Sequence, residues 1–180
     1  MSGEFERIGS EVAWEGNFIR AGTERFRYGD GTEVKRDKVW HPGAVGIVAV
    51  DDDHVWLTRQ PREVVGATAS LEIPAGKLDV PGESPLETGK RELAEEIGMQ
   101  AEHWVELFAF YTSLGFSDER IRLFLATELS DAPEPGEAEE DERIEIVRWP
   151  LDRLEQAIEQ CEDSKSLIAL LWLASRREAQ

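Results

Sequence analysis

Three glutamates, Glu92, Glu95 and Glu96, crowd one short stretch of this chain, directly after Arg91. On a helix, Glu92 and Glu96 are neighbours four apart, and Glu95 lies on their flank. Two carboxylates held about 4 Å apart repel by about 4 kcal/mol at an effective dielectric near 20. A solvated helix usually dilutes such charge with lysines; here only Arg91, one turn before Glu95, offsets it. One reading is a plain solvated face on an acidic protein. The other is a site for hard divalent cations, which take oxygen ligands. The preceding segment favours the second. A strand-like run with Leu71 and Ile73 leads through Pro74 and Ala75 into Gly76, then through a loop with Pro81 and Gly82.

The element that must carry these carboxylates is well signalled. Ser84 caps a helix, Pro85 suits its first position, and Glu87 completes a capping box. Gly98 follows the last periodic residue, where a left-handed turn favours glycine. Leu86, Leu93 and Ile97 share one stripe within Pro85 to Ile97 and should face a core.

Gly76, Glu83, Arg91-Glu92-Leu93, Glu95-Glu96, Gly98 and Met99 together resemble the box that defines the Nudix superfamily, G-x5-E-x7-R-E-U-x-E-E-x-G-U with U aliphatic. One departure stands out: six residues, not five, separate Gly76 from Glu83. From Glu83 onward every specified position fits.

The rest of the chain supplies a scaffold. Its 180 residues suit one domain with a sizeable core and a small N-terminal appendage. A formal charge of −18 argues against nucleic acid or an anionic membrane as partner. No apolar run approaches ~20 residues and no signal pattern opens the chain, so a cytoplasmic location is expected. The single cysteine, Cys161, is read as a structural bystander.

Residues 10–14, 17–28 and 32–40 read as strands, with Gly29-Asp30-Gly31 as a hairpin turn. Trp14, Phe18, Phe26 and Trp40 give these strands an aromatic surface, for packing or, at Trp14 or Trp40, for stacking on a nucleobase. Ala44–Val50 is a buried strand and His54–Gln60 the next; His41 and His54 read as loop or surface residues without metal-ligand spacing. Arg59 and Arg62 follow, and one of them is expected to meet a substrate phosphate. Strands at 103–112 and 119–128 flank a loop with Gly115 and Phe116. The acidic run 131–142 reads as a solvated loop, and Arg143–Trp149 as a strand. Leu151–Gln160 and Ser164–Arg177 read as helices, the second capped by Asp163 or Ser164.

From about Ala44 to Ala174 the chain resembles the Nudix branch that contains ADP-ribose pyrophosphatases. His41-Pro42-Gly43-Ala44-Val45, Arg59-Gln60 with Arg62, Leu71-Glu72-Ile73-Pro74-Ala75-Gly76, Gly115-Phe116-Ser117-Asp118-Glu119 and Asp163-Ser164-Lys165-Ser166 carry this likeness. That branch usually has proline where this chain has Leu114.

The resemblance implies an α/β/α sandwich around a mixed sheet (residues 43–180), with a small N-terminal antiparallel sheet (residues 1–42) that forms a homodimer. It implies hydrolysis of a nucleoside-diphosphate-linked compound, ADP-ribose above all, to AMP and ribose 5-phosphate. Mg²⁺ or Mn²⁺ would be held by Glu92 and Glu96 with the Ala75 carbonyl; Glu95 is a ligand or an outer partner, and Arg91 orients a carboxylate. Glu140 or Glu142 is the candidate general base. Arg59, Arg62, Trp14, Trp40, Gly115 and Phe116 are the candidate substrate contacts. Two other readings make different predictions: a non-catalytic Nudix-fold nucleotide sensor, and an acidic structural protein whose glutamates are only solvated.

Overall fold

The computed structural model describes residues 3–133 and 143–177 and divides into two compact units. The first comprises Met1–Gly43 together with Phe110–Arg120. In it β1 (Phe5–Glu15), β2 (Arg20–Tyr28) and β3 (Glu33–Trp40) form an antiparallel sheet in the order β1-β2-β3. The hairpin falls where the glycines predict it. Gly31 takes φ +86°, and Asp30 Oδ1 accepts from the Thr32 amide at 2.9 Å. β1 starts at Phe5, earlier than expected, because Phe5 packs edge-on against Phe26 and Tyr28 across the ladder (ring centroids 5.4 and 6.0 Å). β3 ends against the Phe110–Arg120 segment: the Val39 amide donates to the Phe116 carbonyl at 2.7 Å, and the Asp118 amide to the Val39 carbonyl at 3.2 Å. His41, expected in a loop or at the surface, lies in the loop after β3 and is largely covered, its ring edge-on to Phe18 at 5.6 Å.

The second unit, Ala44–Ala109 with Ile121–Gln180, holds a mixed sheet of seven strands. β4 (Ala44–Val50), β5 (His54–Arg62), β8 (Met99–Tyr111), β9 (Arg120–Asp131) and β10 (Glu145–Pro150) lie in the order β10-β5-β4-β9-β8. β6 (Ala67–Glu72) pairs with β5, and β7 (Ala75–Lys77) with β4. β4 and β9 run parallel, which puts continuous apolar runs at the centre. β5 and β6 form a hairpin where the sequence suggested a strand, a loop and a short strand-like run. Apart from Leu71, the residues of β6 are small or polar and give no alternating signal. β8 begins at Met99 and β9 extends to Asp131, both longer than expected. The stretch Leu151–Gln160 opens as a 3-10 turn (Leu151–Arg153) before α2 (Leu154–Gln160).

Helix α1 (Pro85–Ile97) covers one face. Val45, Ile47 and Ala49 of β4 alternate toward it and pack with Leu93, Ile97, Phe124 and Ala126. Each fully buried Leu or Ile contributes about 1.5–3 kcal/mol by leaving water, so α1 is fixed against the sheet. α2 packs on α3 (Ser164–Arg177), and the sandwich is complete. Among the described residues no helix is long and apolar enough to cross a membrane.

Candidate active site

The glutamate helix is capped at both ends as its sequence predicts. The Glu87 carboxylate accepts from the Ser84 amide at 2.7 Å while Ser84 Oγ accepts from the Glu87 amide at 3.3 Å, and Gly98 closes the helix at φ +69°. These ends fix which residues of α1 face the loop from Ile73 to Gly76. That loop is itself tied down: the Ile47 amide donates to the Pro74 carbonyl at 2.8 Å. The Ala75 amide donates to Glu96 Oε2 at 3.0 Å, and Glu96 is buried.

Gly76 is required by close approach. A Cβ there would overlap the Glu92 carboxylate. The missing side chain is thus a cradle that Glu92 fills.

Arg91 organises the remaining acids. Its Nη1 meets Glu95 Oε2 at 2.6 Å and Glu92 Oε1 at 2.9 Å, and its Nε meets Glu83 Oε1 at 3.2 Å. Thr88 Oγ1 also donates to Glu83, at 2.9 Å. Burial would lower the Arg91 pKa, but Glu83, Glu92 and Glu95 outweigh it and hold the guanidinium above its ordinary range. The bond from Arg91 holds the Glu83 carboxyl below the usual carboxylate range. The segment before Glu83, one residue longer than the box pattern, ends in a turn where the Glu83 amide donates to the Val80 carbonyl at 3.3 Å and Gly82 takes φ +85°.

Among the described residues no three acidic or histidine side chains converge as a ready metal cage. Arg91 draws Glu95 and one Glu92 oxygen toward itself. What remains is an oxygen-only set, Glu92 in its glycine cradle and buried Glu96 beside Ala75. This fits a small hard cation that binds through one or two carboxylates plus substrate phosphates and keeps its waters.

The two arginines expected near a phosphate have separate surroundings. Arg59 Nη2 donates to Gln160 Oε1 at 2.9 Å. Arg62 grips Glu72 through Nε and Nη2, both at 2.8 Å, and lies in the field of Glu96. Lys165 Nζ reaches the same Glu72 at 2.7 Å. Burial alone would raise the Glu72 carboxyl, yet the bonds from Arg62 and Lys165 outweigh it and hold its pKa at about 2. Sequence reading did not single out Glu72 or Lys165 for this role. Their separations of 10 and 93 residues along the chain give no periodic signal. A cavity of about 580 Å³ is lined by Arg59, Pro61, Ala67, Ala69 and Arg143, and no glutamate of α1 borders it.

The aromatic and loop candidates belong to the first unit. Trp14 is exposed, and Trp40 has Arg20 and Lys38 over its ring, at 5.6 and 5.7 Å. Phe116 presents its ring to solvent while its carbonyl holds Val39, and Gly115 precedes it in the turn. The proposed bases, Glu140 and Glu142, lie outside the described residues.

The NUDIX domain family matches residues 40–171. An ADP-ribose pyrophosphatase of Bacillus subtilis (strain 168) is 38% identical over 180 residues, covering 98% of this chain and 96% of the relative. An ADP-ribose pyrophosphatase of Mycobacterium tuberculosis (strain ATCC 25618 / H37Rv) is 41% identical over 147 residues, covering 81% and 70%. A solved structure of an ADP compounds hydrolase superposes with a TM-score of 0.83 at 24% identity over 98% of this chain and 96% of that one, and so shares the fold.

The chain belongs to the Nudix family. It is a pyrophosphohydrolase of that class, with relatives that support hydrolysis at a nucleoside diphosphate.

Proposed function

We propose that this enzyme hydrolyses ADP-ribose to AMP and ribose 5-phosphate in the presence of Mg²⁺, Mn²⁺ being an alternative ion. One arrangement carries the reading: Glu96, buried and bonded to the Ala75 amide, beside Glu92 in the cradle left by Gly76. Glu92, Glu96 and the Ala75 carbonyl would hold the ion, which neutralises diphosphate charge and acidifies a bound water. Arg91 orients Glu92 and Glu95 through Nη1. Arg59 or Arg62 meets the diphosphate; Arg62, half exposed and in the same segment-holding cluster as Glu72, is the one tested below. Glu140 or Glu142 takes the proton from the attacking water. The names of the two curated relatives support ADP-ribose as substrate. Trp14 or Trp40, with Gly115 and Phe116, receives the base, in a cytoplasmic homodimer joined through the N-terminal strands.

The test is a panel of ADP-ribose, ADP-glucose, GDP-mannose and NADH with and without Mg²⁺. ADP-ribose should turn over fastest and only with metal, and Glu92→Gln should lower kcat/KM at least about 100-fold. Equal rates with and without Mg²⁺, or an unimpaired Glu92→Gln enzyme, would overturn the proposal. Sedimentation at a single-chain mass would remove the dimer from it.

A further inference from the structure

The segment leading into Gly76 is held at every residue. The Leu71 carbonyl accepts from Cys161 Sγ at 3.3 Å, and the Glu72 carboxylate accepts from Arg62 and Lys165. The Ile73 amide donates to Ser166 Oγ at 2.9 Å, the Pro74 carbonyl accepts from Ile47, and the Ala75 amide donates to Glu96. Three of these partners, Cys161, Lys165 and Ser166, come from the start of α3 or the lead-in to it.

The first turn of α3 is itself locked. Asp163 Oδ2 accepts from the Ser166 amide at 2.9 Å and from Ser166 Oγ at 2.5 Å, and it pairs with Lys165 at 3.0 Å. With its proton committed to Asp163, the buried Ser166 hydroxyl can only accept, and its acceptor faces Ile73. Glu72 and Asp163 against Arg62 and Lys165 make a charge-balanced set, which is what burial demands.

We infer that Ser166 and Lys165 are positioning residues for the reaction. Ser166 sets the height of Ile73 and so delivers Ala75 to Glu96 and Gly76 to Glu92. Lys165 shares the charge of Glu72, so Arg62 does not offset that carboxylate alone and its half-exposed guanidinium can also meet an anionic ligand. The inference about Arg62 rests on the function proposed above; that about Ser166 rests on the hydrogen bonds alone.

The experiment has two arms on the full chain. In Ser166→Ala, hydrogen exchange at the Ile73 and Ala75 amides should quicken at least about tenfold more than at Val45 or Leu93, and Mn²⁺ affinity by titration should fall at least about fivefold. Uniform loosening across the sheet, or Mn²⁺ affinity within about twofold of wild type, would show a merely structural serine and overturn the idea. In Lys165→Met the KM for ADP-ribose should rise about tenfold with kcat within about threefold, and Lys165→Arg should restore it. A loss confined to kcat, or no loss, would overturn this arm; should Ser166→Ala not fold, Ser166→Cys is put through the same exchange and Mn²⁺ measurements with the same outcomes. If the wild type cleaves no nucleoside-diphosphate sugar, the proposed function fails, while exchange and Mn²⁺ titration still judge Ser166.

Discussion

Replacing Arg91 with methionine keeps the length and the helix but removes a cation that Glu83, Glu92 and Glu95 share. At an effective dielectric near 20, a unit charge pair 3 Å apart attracts by about 5.5 kcal/mol before desolvation. Arg91 is 31% exposed and its partners 15–28%, so solvent screens part of this and dehydration offsets more. A net loss of about 2–3 kcal/mol follows, which for a chain of this size lowers Tm by about 4–12 °C. Calorimetry in EDTA and then in 10-mM-scale Mg²⁺ separates repulsion from packing. With the arginine gone the three carboxylates face one another, so Mg²⁺ should raise the Tm of the variant more than that of the wild type. A Tm within about 1 °C of wild type, or a variant that gains nothing from Mg²⁺, would refute the view of Arg91 as the organiser of these acids.

Gly76→Ala should destabilise by about 1–3 kcal/mol, because the Glu92 side chain must swing aside from Cγ outward, and lower kcat/KM at least about tenfold; denaturant titration and kinetics check both. Glu72 has its folded pKa depressed from the ordinary 4.5 to about 2. Its contribution is therefore complete above pH 4.5 and is lost as pH falls toward 2, up to about 3 kcal/mol. Glu72→Gln should flatten that part of the stability–pH curve in urea titrations from pH 6 to 3; an unchanged acid limb would remove Glu72 from the account. Of Glu140→Gln and Glu142→Gln, one should lose at least about 100-fold in kcat with KM little changed; if neither does, the proton acceptor lies elsewhere.

The parts of the fold written in local code were legible. The capping box at Ser84 and Glu87, the stripe of Leu86, Leu93 and Ile97, and the closing Gly98 are set by neighbours within one or two turns. Ala44–Val50 announces a central strand by composition. β6 was legible only at Leu71, since its small and polar residues gain strand geometry from pairing with β5 and from no pattern of their own. Of the site, the glutamates and their glycine were legible because a helix turn and a tight loop fix their spacing. The reason for the glycine was not, because the overlap with Glu92 exists only once 16 residues of loop and helix have folded back. Arg62 was legible only as one of two cations, with Arg59, offered to a phosphate. Its partners Glu72 and Lys165 are joined by tertiary contact, and charge alone could not choose them among 38 acids and 20 bases.

The grip of Ser166 on Ile73 spans 93 residues, which has a consequence during synthesis. A nascent chain that has left the ribosome as far as Gln160 already carries every acid of the glutamate helix and the loop beneath it. It still lacks the hydroxyl that receives the Ile73 amide and the ammonium that shares Glu72. If Ser166 positions Ile73 as inferred above, the loop from Ile73 to Gly76 is drawn tight only once α3 has docked.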